Sequence, residues 1–284
     1  MKRILIPTDF SDNAQNAVSF AAELANKISG EIYLLHVAET NHESSIYNTS
    51  DEWSRLASAT EEVPHMIGKL KEIKLQLEEV KHQQSLKDLV VYDNIELGEP
   101  DIQINSYANK VNADIIIMGT RGIGKGKLAG GTAEKVVKSA NCPVLSIHDA
   151  LRNEPQSILF ATDFTDEADH AFDPIKNFAL VYNATIHLLT VVTKNKFESF
   201  SQSRKKINDF RERHAIPDFQ YTIYNDHLKE AGIINFAHEL GADMIALGSP
   251  GKRGLARFYN PGISVDLPTH SFFPVLTVNT SNGK

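Results

Sequence analysis

The sequence has one cysteine, one tryptophan and no run of about 18 apolar residues. Because Cys142 is alone, an intrachain disulfide and a thiolate metal cage within the chain are excluded, and this sparing use of thiols is typical of reducing compartments. The apolar run from Ile4 to Ile6 follows Lys2 and Arg3 directly and is too short for the core of a signal peptide. These features predict a cytoplasmic protein with no membrane partner.

An excess of positive charge is also lacking. The 284 residues include 29 Lys and Arg against 36 Asp and Glu, which gives a formal net charge of −7. Binding to nucleic acid requires a basic face, so we expect no nucleic-acid partner. Hydrophobic residues make up 42% and charged residues 23% of the chain, an ordinary globular composition, and this length favours two domains over one.

The chain contains an internal repeat, which indicates two copies of one structural unit. Three blocks of the first half return in the same order in the second half: 4–12 as 158–166, 113–122 as 242–251, and 143–147 as 274–278. The polar stretch 149–156 separates the two copies. We therefore predict two domains, residues 1–150 and residues 151–284.

Within each copy, short apolar runs alternate with longer stretches of helical periodicity, a pattern typical of βαβ units and of a parallel sheet covered on both faces. In the first copy, strands are predicted near 3–7, 32–37, 89–95, 114–118 and 143–147. The helix after the first strand is expected to begin after Ser11, a favoured N-cap residue, and to end at Gly30. The predicted fold class is therefore α/β.

The segment after the fourth predicted strand is rich in glycine and in positive charge. Six of the fourteen residues from Gly119 to Thr132 are glycine, and residues 119–138 carry five cations against one carboxylate, Glu134. Glycine lets backbone amides approach a ligand, and the helix N-terminus that follows adds further amides and a positive dipole end. Ligands of doubly wound sheets bind beyond the carboxyl ends of the strands, where we expect this loop to face Asp9.

This pattern alone leaves two interpretations open, a phosphate site and an ordinary cationic surface loop. The loop contains neither the P-loop motif nor the dinucleotide fingerprint directly after the first strand. The chain also lacks a GxSxG elbow, HExxH spacing and a nucleophile with a base, so we predict no catalytic and no metal-binding residue. If ATP is hydrolysed at all, we expect slow turnover.

Together these blocks resemble the universal stress protein family, in its tandem form with two domains in one chain. The resemblance rests on the opening Pro-Thr-Asp-Phe-Ser, on His36-Val37 at the end of a strand, on the block 113–122, and on the closing Cys-Pro-Val-Leu. It implies two tandem, doubly wound, five-stranded parallel-sheet domains that are Rossmann-like and similar to adenine nucleotide alpha hydrolases, with strand order 3-2-1-4-5. It also implies antiparallel pairing of the last strands of the two domains, and it leaves homo-oligomer formation open.

For the nucleotide-binding branch of the family, the implied ligand is ATP, ADP or AMP, with or without Mg²⁺. The resemblance places the adenosine moiety near Asp9 and the backbone of Val37, and the phosphates near Gly130, Gly131 and Thr132. The complete set of residues carried over is Pro7, Thr8, Asp9, Val37, Met118, Gly119, Arg121, Gly122, Gly130, Gly131 and Thr132. The loop between Gly122 and the later glycines is shorter than the branch pattern of nine residues.

The second copy departs from the branch pattern at a different place. It retains Thr162, Asp163, Gly248 and Gly251, but Pro261 stands where the branch has glycine. Because proline has no amide hydrogen to donate, we predict weak or no nucleotide binding in this copy. The function that the resemblance implies is a regulatory or stress-protective protein that binds an adenine nucleotide in its N-terminal domain. The alternative is a non-nucleotide-binding scaffold or interaction module.

Structural roles are expected for several other residues. We expect His36 to be packed or hydrogen-bonded, His214 to lie at the surface, and Cys142 to be a small core residue. Tyr47 and Trp53 are expected to pack on the surface, with a lid over the crevice as the alternative.

Overall fold

The structure is a computed structural model that describes residues 1–39, 63–83, 89–120, 131–151, 153–164, 166–194, 200–214, 220–249 and 273–280. The chain divides into two compact units, Met1–Thr120 and Arg121–Lys284. The predictions for several residues fall outside the described residues: Tyr47, Trp53, Arg121, Gly122, Gly130, Gly251 and Pro261.

The first unit is a parallel sheet with helices in the connections. Its elements are β1 (Arg3–Pro7), α1 (Asp12–Ile28), β2 (Glu31–Ala38), α2 (Val63–Gln83), β3 (Val90–Leu97), α3 (Pro100–Val111) and β4 (Ile115–Gly119). The strand order is β3-β2-β1-β4, and every pairing that is resolved in this unit is parallel. The order reverses at β1, between its crossovers to β2 and to β4, which is the position where doubly wound sheets bind ligands.

The second unit holds the last strand of the first copy and the whole second copy. Its elements are α4 (Thr132–Ser139), β5 (Val144–Ile147), β6 (Ser157–Ala161), α5 (Asp166–Tyr182), β7 (Thr185–Val192), α6 (Phe200–Arg213), β8 (Gln220–Asn225), α7 (Lys229–Leu240), β9 (Met244–Ser249) and β10 (Val275–Asn279). The strands of the second copy lie in the order β8-β7-β6-β9-β10 and are parallel, which confirms the predicted order 3-2-1-4-5. Strand β5 pairs with β10 in the antiparallel sense, with Leu145 opposite Leu276.

The central strand β1 has no polar alternation because both of its faces are covered. Ile4, Leu5 and Ile6 are completely buried, as expected for the middle of a parallel sheet with helices on both sides. Helix α1 buries Ala17, Ala21, Leu24 and their neighbours at helical spacing. Each fully buried Leu or Ile side chain stabilises the fold by about 2 kcal/mol relative to an exposed one.

The ends of α1 show one prediction confirmed and one corrected. Ser11 is the N-cap, and its side chain accepts a hydrogen bond from the Ala14 N–H at 3.3 Å. At the other end the left-handed residue is Ser29, with a φ of 50°, and not Gly30. Gly30 is needed for a different reason, because a Cβ at this residue would lie 2.9 Å from the carbonyl oxygen of Lys2.

The aspartate of the repeated Ala-Asp pair has a structural role. Oδ2 of Asp114 accepts hydrogen bonds from the backbone N–H groups of Lys2 at 2.6 Å and of Arg3 at 2.9 Å. The second copy repeats this arrangement, because Oδ2 of Asp243 accepts from two consecutive backbone N–H groups at the start of β6. Partial burial raises the pKa of Asp114, but the two hydrogen bonds, together with the positive charges of the chain N-terminus and of Arg3, outweigh it, and the pKa lies below its ordinary value.

Candidate functional site

A sharp turn follows β1 and carries the first predicted site residues. Thr8 is 5% exposed; its N–H donates to the Leu35 carbonyl at 2.8 Å, and its Oγ1 accepts from the Phe10 N–H at 3.1 Å. Phe10 is left-handed, with a φ of 64°, which is rare for a bulky residue. Backbone strain of this kind concentrates at functional sites, where the surrounding structure holds it in place.

Asp9 lies exposed on this turn, next to the N-terminus of α1. Its Oδ1 accepts from the Ser11 N–H at 3.1 Å and from the Ser11 hydroxyl at 2.5 Å. Because Ser11 is itself the N-cap of α1, the Asp9 carboxylate lies close to the positive end of the helix dipole. The turn therefore holds an acidic side chain at the carboxyl end of the central strand.

The end of β4 lies against the same helix terminus. A Cβ at Gly119 would stand 2.5 Å from backbone atoms of Asn13 and Ala14, so only glycine allows this close approach. The side-chain amide of Asn13 also donates a hydrogen bond to the Thr120 carbonyl. The structure thus places the end of β4 and the turn containing Asp9 at the first residues of α1.

The helix that follows the glycine-rich segment begins in the second unit. Gly131 is the N-cap of α4 and provides no side-chain cap, and a Cβ built on it would have no atom within 4 Å. The exposed Thr132 is the first helical residue. Backbone amides at such a terminus are suited to anions. The first-turn carboxylate of Glu134 is buried and paired with Lys138 at 2.5 Å, so one of the predicted cations is already neutralised.

Three other predicted site residues present little side chain to a ligand. Pro7 and Met118 are buried, and Val37 is half-buried at the end of β2. A ligand at this edge of the sheet would meet the backbone of these residues more readily than their side chains. Gly119 acts through close packing against α1, and Thr8 acts through hydrogen bonds within the turn.

The second copy builds the same turn. The N–H of Thr162 donates to the Leu189 carbonyl at 2.9 Å, and its Oγ1 accepts from the Phe164 N–H at 3.0 Å. Phe164 has a φ of 57°, and Asp163 is exposed, as Asp9 is in the first copy. The two turns therefore share one construction, and any difference in binding must arise from the residues around them.

The structure confirms the prediction for His36 and corrects the predictions for His214 and Cys142. His36 is buried and hydrogen-bonded, as expected. His214 is not a surface residue: its Nε2 lies 3.0 Å from Oδ1 of Asp169, and its ring packs on Phe210. Cys142 is partly exposed and is not a core residue. Sequence periodicity missed the contact of His214 because its partner lies on a different helix, α5.

The described residues include no group of three or more His, Cys, Asp or Glu side chains that could hold a metal ion. The helices in the described ranges also include none with both the length and the apolar character needed to cross a membrane.

The fold and the repeated turns define a tandem pair of doubly wound α/β domains. The sequence model of the universal stress protein family matches residues 1–148 and 155–279. The chain belongs to the universal stress protein family.

Known relatives agree with this assignment. The universal stress protein Slr1230 of Synechocystis is 23% identical over 98% of this chain and 99% of its own length. The universal stress protein MJ0577 of Methanocaldococcus jannaschii is 32% identical over 51% of this chain and 94% of its own length. A crystal structure of a universal stress protein from Archaeoglobus fulgidus is 21% identical and has a TM-score of 0.69 over 99% of this chain and 97% of that one.

Proposed function

We propose that this universal stress protein binds an adenine nucleotide, ATP, ADP or AMP, in its first copy, and that binding serves a regulatory or stress-protective role in the cytoplasm. The observation that carries the proposal is the strained turn at the end of β1. This turn presents the Asp9 carboxylate beside the N-terminus of α1, with Gly119 packed against the same terminus. It lies where the strand order reverses, which is the usual ligand position in this architecture.

Each of the two units, taken by itself, offers chemistry that suits one part of an adenine nucleotide. The carboxylate of Asp9 accepts hydrogen bonds, as the hydroxyl groups of a ribose or the amino group of adenine require. Considered by itself, the uncapped N-terminus of α4 in the second unit offers backbone amides and the Thr132 hydroxyl, which are donors that suit phosphate oxygens. Where Mg²⁺ accompanies the nucleotide, it would be held mainly by the phosphates of the nucleotide.

We also propose that the second copy binds nucleotide weakly or not at all and serves mainly as a structural partner. The antiparallel pairing of β5 with β10 supports this role, because it joins the last strand of the first copy to that of the second. A paired strand also leaves no open edge at this position. The boundary between the copies is proposed to lie between residues 150 and 151.

Calorimetric titration tests the proposed function. We expect ATP and adenosine to bind the unmodified protein. In Thr132→Val, which removes a hydroxyl at nearly constant volume, we expect ATP affinity to fall about tenfold and adenosine affinity to stay unchanged. A matched control is Ser139→Ala, because Ser139 is at the opposite end of α4, where its hydroxyl donates to the Lys135 carbonyl.

Failure of ATP and adenosine to bind the unmodified protein would contradict the proposal. Mass spectrometry of small molecules released on denaturation provides a second test. Adenine nucleotides in the released fraction would support nucleotide binding, whereas a different bound ligand would support the alternative, a scaffold or interaction module.

A further inference from the structure

His36 forms a specific hydrogen bond at the end of β2. The side chain is 8% exposed, and its Nδ1 lies 2.8 Å from the carbonyl oxygen of Thr8. Because a carbonyl oxygen can only accept, Nδ1 must carry the hydrogen and donate it. In the neutral ring, Nε2 is then an unprotonated acceptor, and it is buried without a hydrogen-bond partner in the described part of the chain.

The same ring also contacts the strained residue of the turn. The ring centroids of His36 and Phe10 are 4.5 Å apart, and the Lys69 ammonium lies 5.2 Å from the centroid of the Phe10 ring. His36 therefore contacts the turn at two points, the carbonyl before Asp9 and the side chain after it. These contacts hold both neighbours of Asp9 while leaving its carboxylate exposed.

We propose that His36 is a positioning residue, which fixes the turn formed by Thr8, Asp9 and Phe10 and thereby sets the affinity for the adenosine moiety. This inference rests on the proposed function, because it concerns the same site. Without the hydrogen bond from Nδ1, the peptide group between Thr8 and Asp9 loses one of the contacts that fix its orientation, and the direction of the Asp9 carboxylate is less firmly set. Preorganisation of this kind raises affinity by reducing the ordering required on binding.

The second copy offers an internal comparison. In the register of the two sheets, Pro7 pairs with Leu35, and the corresponding Ala161 pairs with Leu189. The residue after Leu189 is Thr190, which therefore occupies the position of His36. A threonine side chain is too short to make both contacts of the His36 ring, the one with the carbonyl before the aspartate and the one with the phenylalanine after it. The first and second copies thus share the turn but differ in the residue that supports it.

Two substitutions separate positioning from packing. His36→Thr installs the residue of the second copy and removes the Nδ1 donor. His36→Asn keeps an N–H donor at nearly the place of Nδ1 while removing the rest of the ring. We expect His36→Thr to weaken ATP and adenosine binding by the same factor, about tenfold, and His36→Asn to stay within about threefold of the unmodified protein. His187→Gln, which alters a buried histidine of the second copy, is the matched control and should leave both affinities unchanged.

Nuclear magnetic resonance provides a readout that needs no ligand. We expect two-bond ¹H–¹⁵N correlations to show the His36 ring protonated at Nδ1 and bare at Nε2. The opposite tautomer would overturn the inference, as would equal affinities for the unmodified protein and His36→Thr, or equal losses in the Thr and Asn variants. Failure of the unmodified protein to bind ATP and adenosine would overturn the proposed function, and this inference with it. Binding that is insensitive to His36 would overturn this inference alone.

Discussion

Gly119 lies so close to Ala14 that a side-chain carbon at residue 119 would stand 2.5 Å from the Ala14 nitrogen. The end of β4 therefore contacts the first turn of α1 through backbone atoms alone. This contact depends on the missing Cβ rather than on glycine flexibility, because Gly119 is not among the residues with a positive φ. This close contact between backbone atoms holds the end of β4 at the N-terminus of α1, next to the turn that carries Asp9.

Gly119→Ala is expected to lower the free energy of unfolding by about 2 kcal/mol, because the added methyl group must push β4 and α1 apart. Urea unfolding followed by circular dichroism measures the change. Gly131→Ala is the matched control, since its Cβ would enter open space, and we expect its effect to stay below about 1 kcal/mol. Equal effects of the two substitutions would contradict the close contact.

Asp114→Asn is expected to destabilise the protein at neutral pH by about 1 kcal/mol, after allowance for its exposure to solvent. The hydrogen bonds from Lys2 and Arg3 lower the folded-state pKa against the effect of partial burial. The contribution of the carboxylate is therefore fully present above the ordinary aspartate pKa of about 3.9 and is lost as the pH falls through the folded-state pKa. Urea unfolding at several pH values checks this.

The control for this prediction is Glu23→Gln, which changes an exposed carboxylate on α1. We expect no comparable loss of stability in that variant. A difference between Asp114→Asn and the unmodified protein that stays constant down to strongly acidic pH would show that the charge of Asp114 does not support the fold.

The free energy of unfolding is expected to fall in mild acid because of the buried His187. Burial lowers its pKa, and the hydrogen bond with Gln220 compensates only in part. A histidine with a lowered folded-state pKa stabilises the protein fully above its ordinary pKa of about 6.5, and this stability is lost as the pH falls toward the folded-state value. Urea unfolding at pH values above and below about 6.5 should show a larger loss for the unmodified protein than for His187→Gln.

The exposed His227 provides the comparison for this experiment, because His227→Gln should retain the pH dependence of the unmodified protein. Should His187→Gln and His227→Gln lose stability equally on acidification, burial of His187 would not be the source of the effect.

The strands were predictable because their residues are apolar on both faces. Three consecutive apolar residues, Ile4, Leu5 and Ile6, indicate a strand that is buried on both faces, and all three are completely buried. The structure places β1 at Arg3–Pro7, as predicted. The end of α1 was less predictable, because Ser29 adopts the left-handed conformation that glycine more commonly adopts. Tight packing of Gly30 against Lys2 depends on the sheet, and no local pattern shows it.

The candidate site was predictable in part. The repeated Thr-Asp-Phe sequence indicated an important turn, and both copies build it with the same threonine hydrogen bond. The contact of His36 with Thr8 could not be derived from spacing, because it depends on the pairing of β1 with β2 across 28 residues of sequence. The hydrogen bond between His214 and Asp169 was missed for the same reason, since it joins the residue after α6 to α5.

Titration of ATP into Asp9→Asn and Asp163→Asn tests the central claim most directly, because the two substitutions remove the same charge from the same turn in the two copies. We predict one ATP bound per chain of the unmodified protein, a loss of affinity of about tenfold or more in Asp9→Asn, and no change in Asp163→Asn. Equal affinities of all three proteins for ATP, or a loss confined to Asp163→Asn, would contradict a nucleotide site in the first copy.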